Sequence, residues 1–165
     1  MNDPLANLQP LIRRVYGYVA YRLGDGPDAE DVASETFERA LRYRHTFDSR
    51  RGDPAAWLIG IARRVIADSV VERERPSDEL PEVAVASHDE ETLRRLEIRD
   101  ALMELGDRDR ELLSLRYGAD LTARQIAELL ELQTNAVEVA LHRALGRLRE
   151  QLELGEAGEE RTGAL

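Results

Sequence analysis

The chain of 165 residues contains no cysteine, no lysine and only three histidines. Without cysteine there can be no disulfide, thiolate metal site or cysteine nucleophile. The histidines, His45, His88 and His142, are far apart in the sequence and do not have metal-ligand spacing. No phosphate-binding loop or nucleophile motif stands out either. We therefore expect no metal ion and no other cofactor, and we expect that the protein is not an enzyme.

Long apolar runs are missing as well. The sequence has neither a run of about 18 apolar residues nor a cationic signal peptide at its beginning. We therefore expect no membrane insertion and a cytoplasmic location. A content of 42% hydrophobic and 34% charged residues is that of a globular protein.

The net charge of −10 is unevenly distributed along the chain. Residues 1–71 contain equal numbers of acidic and basic side chains, whereas residues 101–152 contain only two more acidic than basic ones. Most of the excess acid lies between and after these two segments. Strong binding to DNA phosphates by the protein alone is therefore not expected, although local basic patches remain compatible with this distribution.

Residues 4–72 are predicted to form a three-helix bundle, called here the N-terminal module. Asp3 and Pro4 favour a helix start, and the apolar stripe that follows ends at Gly24. Pro27 suits the first turn of a second helix, whose run DAEDVASETFERAL concentrates acid on one side. Asp53 and Pro54 predict the start of a third helix.

The remaining chain is predicted to be a linker, a second helical module and a tail. Residues 73–91 are rich in acid and proline and predict a flexible acidic linker. Residues 92–152, the C-terminal module, contain two helices separated by only about three residues, with Thr122 and Gln125 as a capping box. Such a pair is typical of a helix-turn-helix, whose second helix enters the major groove of DNA. Residues 153–165 are expected to be a disordered tail. The predicted fold class is all-α, with two small domains.

Several motifs in this order resemble one protein family. In the N-terminal module they are DAED from Asp28, ETF from Glu35, the pair Phe47 and Asp48, and WLIGIAR from Trp57. The C-terminal module adds three more, which are RELLSLRY from Arg110, QIAELL from Gln125 and LHRALGRLRE from Leu141. Together they resemble the extracytoplasmic-function (group IV) sigma factors of bacterial RNA polymerase, in the sigma-70 superfamily, which keep only sigma domains 2 and 4.

The resemblance implies a transcription initiation factor that binds core RNA polymerase and promoter DNA. Domain 2 would dock on the clamp helices of the beta-prime subunit, domain 4 would meet the beta flap, and an anti-sigma factor would be a further partner. The expected polymerase-binding residues all belong to the acidic helix. They are Asp28, Asp31, Ser34, Glu35 and Glu38.

Two groups of residues are implied to contact promoter DNA. Those for opening the −10 region are Arg50, Arg51, Trp57, Arg63 and Arg64. Those for reading the −35 element are Arg124, Gln133, Thr134, Asn135, Glu138, Arg143 and Arg147. Gln and Asn can pair with adenine edges and Glu with the cytosine amino group. At helical spacing Trp57 also fits a core position, which is the more common role for such a residue.

Two alternatives remain open at this point. One is a sigma-like interaction protein with weakened promoter recognition, since Glu131, Glu138 and Ala140 stand where the family usually has a glycine and basic residues. Arg64 and Ser34 depart from the family pattern too. The other alternative is a helix-turn-helix regulator that binds DNA alone, although such a domain would be expected to be basic.

Overall fold

The structure, a computed structural model, describes residues 3–73 and 89–163. Over these residues the chain forms seven α-helices and no strand, which confirms the predicted all-α class. The N-terminal module contains α1 (Leu8–Leu23), α2 (Pro27–Tyr43), a 3-10 turn (Arg44–Thr46) and α3 (Pro54–Arg73). The C-terminal module contains α4 (Glu90–Met103), α5 (Asp107–Leu113), a π-helical turn (Ser114–Gly118), α6 (Ala123–Leu130) and α7 (Thr134–Gly163).

The N-terminal module is a three-helix bundle whose helix starts follow the local sequence signals. Pro27 occupies the first turn of α2, and the Asp53 carboxylate accepts the Ala56 amide at 2.8 Å at the start of α3. The apolar sides of the helices meet around Val19 and Leu58, both fully buried. Burial of each side chain of this size contributes about 1.5–3 kcal/mol, so the bundle is held together mainly by its apolar core.

The C-terminal module contains the predicted helix-turn-helix. The capping box is confirmed, because the Thr122 hydroxyl accepts the Gln125 amide and the Gln125 side chain accepts the Thr122 amide. Helix α6 then ends at Glu131, which is in the left-handed conformation with φ 56°. That backbone turns the chain directly into α7. A glycine is usual at such a position, because a side chain costs energy there.

Three boundaries differ from the sequence prediction. Helix α1 begins at Leu8 rather than near Pro4, because the Asp3 carboxylate accepts the Leu5 amide at 3.0 Å and holds the first residues in a turn. Helix α4 begins at Glu90, where the Asp89 carboxylate caps it, so it starts before the predicted end of the linker. Helix α7 continues to Gly163, so residues 153–163 are helical and not the predicted disordered tail. Their Glu, Leu, Ala and Arg residues favour helix.

The two modules also pack against each other, which the sequence did not predict. We call their contact the seam; it is formed by α1 and α3 on one side and by α4, α5, the π-helical turn and α6 on the other. One continuous apolar core crosses it, joining Val15 and Ile59 to Leu115 and Ile126. A smaller cluster around Leu105 and Leu113 belongs chiefly to the C-terminal module. Most of the predicted linker, residues 74–88, lies outside the described residues.

Candidate protein and nucleic-acid interfaces

The five predicted polymerase-binding residues lie on α2, on the side opposite its buried residues Ala29, Val32, Thr36 and Ala40. Four of the five are exposed and Glu35 is half-buried. Glu35 accepts from the Arg39 guanidinium at 2.9 Å, and Arg39 also reaches Asp68 of α3 at 2.9 Å. These hydrogen bonds to Glu35 and Asp68 raise the pKa of Arg39. On this face, the Glu35 carboxylate is therefore paired with Arg39, whereas the side chains of Asp31 and Glu38 are exposed to solvent.

The loop between α2 and α3 places an aromatic pair beside two arginines. The Phe47 and Trp57 rings meet edge to face, with centroids 5.4 Å apart. Asp48 accepts the Arg50 amide at 3.0 Å and its guanidinium at 3.1 Å, and these bonds from Arg50 lower the pKa of Asp48. Arg51 is exposed at the same loop. The loop thus presents cations next to an aromatic surface, a combination suited to holding unstacked bases.

The remaining predicted −10 residues lie on α3 and face the seam. Trp57 is half-buried and packs at the edge of the core, so it is neither a fully buried residue nor a free stacking platform. Arg63 donates to Glu111 of α5 at 2.7 Å. Arg64 is exposed and lines, together with Arg63, a cleft of about 620 Å³ between α3 and α5. The seam therefore occupies part of the predicted −10 surface.

The predicted −35 residues gather at the start of α7. Gln133, Asn135 and Glu138 are exposed, and Thr134 is half-buried at the first position of the helix. The N-terminal turn of the second helix is the part of a helix-turn-helix that contacts base edges. These four residues therefore lie together at the part of the helix-turn-helix for which base contacts are predicted.

The three arginines predicted to contact phosphates differ in whether they are paired with a carboxylate. Arg143 of α7 is exposed. Arg124 lies 3.4 Å from Glu128 on the same helix, a pair open to solvent on both sides. Arg147 donates to the Asp109 carboxylate at 2.8 Å and so ties α7 to α5. The structure thus gives Arg147 a role in holding the module together.

The seam also contains a polar network that no signal in the sequence predicted. The Glu111 carboxylate accepts from Arg63 and from the Tyr18 hydroxyl, at 2.8 Å for its nearer oxygen. Arg22 Nε lies 3.0 Å from the same carboxylate, close enough for an ion pair, although the angle is not that of a hydrogen bond. Burial and the Glu111 charge raise the pKa of Tyr18. One carboxylate thus joins α1, α3 and α5.

Within the described residues, no three side chains are placed to hold a metal ion together. No helix among them is both long and apolar enough to cross a membrane.

Comparison with known families assigns both modules. Residues 8–75 match sigma-70 region 2, and residues 95–148 match sigma-70 region 4. Each module thus contains one region of the sigma-70 family.

Individual proteins agree with this assignment. The chain is 37% identical to the ECF RNA polymerase sigma factor ShbA of Streptomyces griseus, over 90% of this chain and 85% of the relative. It is 34% identical to the ECF RNA polymerase sigma factor BldN of Streptomyces coelicolor, over 81% of this chain but only 54% of the relative. It therefore spans about half the length of BldN and most of ShbA.

Among solved structures, the sigma factor RpoE from Bartonella quintana, in complex with the anti-sigma factor NepR, matches with a TM-score of 0.72 and 19% identity. The match covers 87% of this chain and 92% of RpoE, and it shows that the fold is shared. The chain belongs to the extracytoplasmic-function sigma factors of the sigma-70 family, which are transcription initiation factors.

Proposed function

We propose that this chain binds core RNA polymerase, directs it to a defined set of promoters and assists the opening of the −10 region, and that it does so in the cytoplasm without covalent chemistry of its own. The observation that supports the proposal is that one chain presents an exposed acidic face on one module and a helix-turn-helix with an exposed second helix on the other. The two surfaces lie on different modules, α2 and the start of α7.

The acidic face of α2 is the proposed docking surface for the clamp helices of the beta-prime subunit. Asp31 and Glu38 point to solvent and suit basic partners, while Glu35 is already bonded to Arg39. Complementary charge of this kind speeds encounter and sets the register of the complex. Asp28 and Ser34 extend the same face, and the C-terminal module would meet the beta flap.

The aromatic and basic loop is the proposed element for the −10 region. Taking a base out of its stack costs a few kcal/mol, which stacking on an aromatic ring and contacts to the backbone must offset. Phe47 and the part of Trp57 that is not packed against the core would supply the ring surface. Arg50, Arg51 and Arg64 supply cations for the strand, with Arg63 available once it leaves Glu111.

The first turn of α7 is the proposed reader of the −35 element. Gln133, Asn135 and Glu138 are exposed there and carry the amide and carboxylate groups that pair with base edges. The exposed Arg143 is the best placed of the phosphate candidates. We also propose an anti-sigma partner, since the RpoE structure that shares this fold is a complex with NepR.

The test is run-off transcription with core RNA polymerase and a genomic fragment library, with polymerase binding measured in parallel and core alone as control. We expect discrete transcripts that depend on the protein. Binding without transcripts would favour an interaction protein that has lost promoter recognition. Absence of polymerase binding would contradict the proposal.

A charge-reversal pair tests the docking face itself. Asp31→Arg with Glu38→Arg changes two exposed residues seven positions apart on α2. Glu153→Arg with Glu160→Arg makes the same change, at the same spacing, on the exposed end of α7. We expect the α2 pair alone to weaken polymerase binding, with far-UV circular dichroism unchanged in both. Equal binding by the two variants would remove the α2 face from the interface.

A further inference from the structure

The second turn of α7 exposes an apolar side chain at a defined place. Val139 is 50% exposed. An isolated apolar side chain at a surface is common, so its exposure means little without its position. The buried residues of this part of α7 are Val137, Leu141 and Ala144, which face the core. Val139 lies two positions from both Val137 and Leu141, which at about 100° per residue places it on the opposite side of the helix.

The exposed neighbours of Val139 carry groups that form hydrogen bonds. Asn135 lies about one turn before it and His142 about one turn after it, and both are exposed. Residues three or four positions apart are adjacent on a helix surface, so these three side chains form one stripe. Glu138 and Arg143 are exposed at its two edges. Val139 is therefore the apolar centre of a polar stripe, and Asn135 and Glu138, which are proposed to read the −35 element, are its direct neighbours.

This stripe lies where a recognition helix contacts the bases. The second helix of a helix-turn-helix enters the major groove with its N-terminal residues against base edges. Val139 is the sixth residue of α7, about 8 Å along the axis from Thr134. The major groove is about 12 Å wide and about 8.5 Å deep, so the first two turns of a helix fit inside it. A helix that places Asn135 against a base edge therefore brings Val139 to a neighbouring one.

The base edge that suits a valine is that of thymine. In the major groove, thymine carries a C5-methyl group beside its O4 acceptor, whereas the other three bases offer hydrogen-bonding groups without a methyl. The valine side chain has no donor or acceptor, so packing it against a polar edge would leave that edge desolvated and unpaired. Packing it against a methyl group removes apolar surface from water on both molecules. The exposed Val139 therefore favours thymine over the other bases.

We propose that Val139 is a specificity-determining residue, which packs against the C5-methyl group of a thymine in the −35 element. The thymine lies between the bases that face Asn135 and His142, on either strand. This inference rests on the proposed function, because it requires that the start of α7 reads the −35 element. It adds to that function a chemical requirement on the promoters, which must share a thymine at one position.

The first test changes the DNA alone. Promoters recovered in the run-off experiment should have a thymine in common in the −35 element. Each −35 thymine is then replaced, one at a time, by deoxyuridine, which pairs in the same way but lacks the methyl group. Holoenzyme formed from core RNA polymerase and the full chain is bound to each copy in competition with the unmodified promoter. We expect one replacement to weaken binding about threefold, the effect of losing one buried methyl group.

The second test changes the protein. Val139→Ala removes the partner of the methyl group, while alanine favours the helix itself. We expect this variant to bind the unmodified promoter about threefold more weakly and to bind the deoxyuridine copy no differently from it. Leu154→Ala is the matched control, because Leu154 is a 65% exposed side chain of the same helix, beyond the residues that match region 4. It should keep the full deoxyuridine effect.

A deoxyuridine effect that is unchanged in Val139→Ala would show that another group reads the methyl, and it would overturn the proposal. Equal binding of every deoxyuridine copy by the unmodified protein would overturn it too. So would weaker binding of Val139→Ala to core polymerase without DNA, which would place the residue in a protein contact. Transcripts without any methyl effect refute the Val139 contact alone, whereas a lack of transcripts refutes the proposed function and the contact together.

Discussion

Helix α3 of the N-terminal module and the first turn of α7 in the C-terminal module carry the two proposed DNA-binding surfaces, and the fold treats them differently. The α3 surface lies in the seam, where Arg63 is bonded to Glu111 and Asp53 to Gln125. The α7 surface has Gln133, Asn135 and Glu138 exposed to solvent. One surface already has a partner inside the molecule, whereas the other is available.

The difference between the two surfaces agrees with the free energy that each would lose by exposure to water. The α3 surface contains a half-buried Trp57 and apolar neighbours, which gain from being covered. The α7 surface is made of amides and a carboxylate, which water satisfies fully. A surface that opens strands needs aromatic groups, so it also tends to find a partner within the chain. A surface that reads base edges relies chiefly on polar groups.

The largest effect should come from a cavity in the apolar core of the C-terminal module. Leu113→Ala empties a fully buried position in the smaller cluster, which belongs chiefly to the C-terminal module, and should lower the free energy of unfolding by about 2–5 kcal/mol. If the seam couples the modules, the N-terminal module should lose stability as well. Trp57 is the only tryptophan and reports on that module. We therefore expect its fluorescence transition in urea to move together with the far-UV circular dichroism.

The corresponding substitution in the N-terminal module is the control for that coupling. Leu58→Ala empties a fully buried position in the N-terminal module and should shift both signals by a similar amount. If Leu113→Ala changes the circular dichroism but leaves the Trp57 transition in place, the modules unfold independently and the seam contributes little.

Local signals were sufficient to predict the elements that carry both surfaces. Pro27 and its acidic neighbours marked α2, and the pairing of Thr122 with Gln125 marked α6 before the turn. Such signals act within one or two helical turns, so the sequence shows them directly. The five α2 residues and the four at the start of α7 lie together as predicted, while their roles in binding stay predictions.

The seam could not be predicted in this way, because it depends on partners distant in the chain. Glu111 reads as an ordinary surface residue of α5, yet it accepts from Tyr18, which is 93 positions away, and from Arg63, which is 48 positions away. Gly17 of α1 lies against Gly118 of the π-helical turn with no room for a side chain on either residue, but a glycine within a helix does not show which residue its neighbour is. Only the packed structure brings these residues together.

Substitutions at the start of α7 should have a smaller effect, confined to the recognition of the −35 sequence. Gln133→Ala and Asn135→Ala should each cost about 1–3 kcal/mol of discrimination between −35 sequences, with polymerase binding preserved. Gln9→Ala, an equally exposed change on α1, is the matched control. The measurement is competition between promoters from the run-off experiment and copies altered at the −35 element. Unchanged discrimination in both variants would move base reading away from the start of α7.

Tyr18→Phe should have a smaller effect, which is on the free energy of unfolding. It removes the hydroxyl bonded to Glu111, which keeps Arg22 and Arg63, so we expect a loss of about 1.5 kcal/mol in the free energy of unfolding at neutral pH. Burial, followed by the Glu111 charge, raises the pKa of Tyr18 above its ordinary value of 10.0. The neutral phenol is therefore the form that the fold stabilises.

The sign of the pH dependence follows from that shift. The contribution of Tyr18 is complete below about pH 10 and is lost as the pH rises above it, because the unfolded chain ionises first. Burial raises the pKa of Tyr16 and Tyr21 too, so they contribute in the same direction. We expect Tyr18→Phe to reduce the alkaline loss of stability without abolishing it. An identical alkaline profile in variant and parent would show that Tyr18 does not titrate with unfolding.

The smallest effect distinguishes the stability of α6 itself from the contact that α6 makes with the N-terminal module. Thr122→Ala removes the cap of α6 and should cost about 1 kcal/mol of folding stability, while Thr122→Ser should restore most of it. The Thr122 cap bonds lie at the start of α6, so the contact between the modules should not change. The measurement is energy transfer between dyes on cysteines introduced by Arg13→Cys and Glu153→Cys, which are exposed positions on different modules. Gln125→Ala also loses the bond to Asp53 and should therefore lower the transfer. Equal transfer in Thr122→Ala and Gln125→Ala would mean that the Asp53 contact does not hold the seam, leaving the apolar core and the contacts of Glu111 to do so.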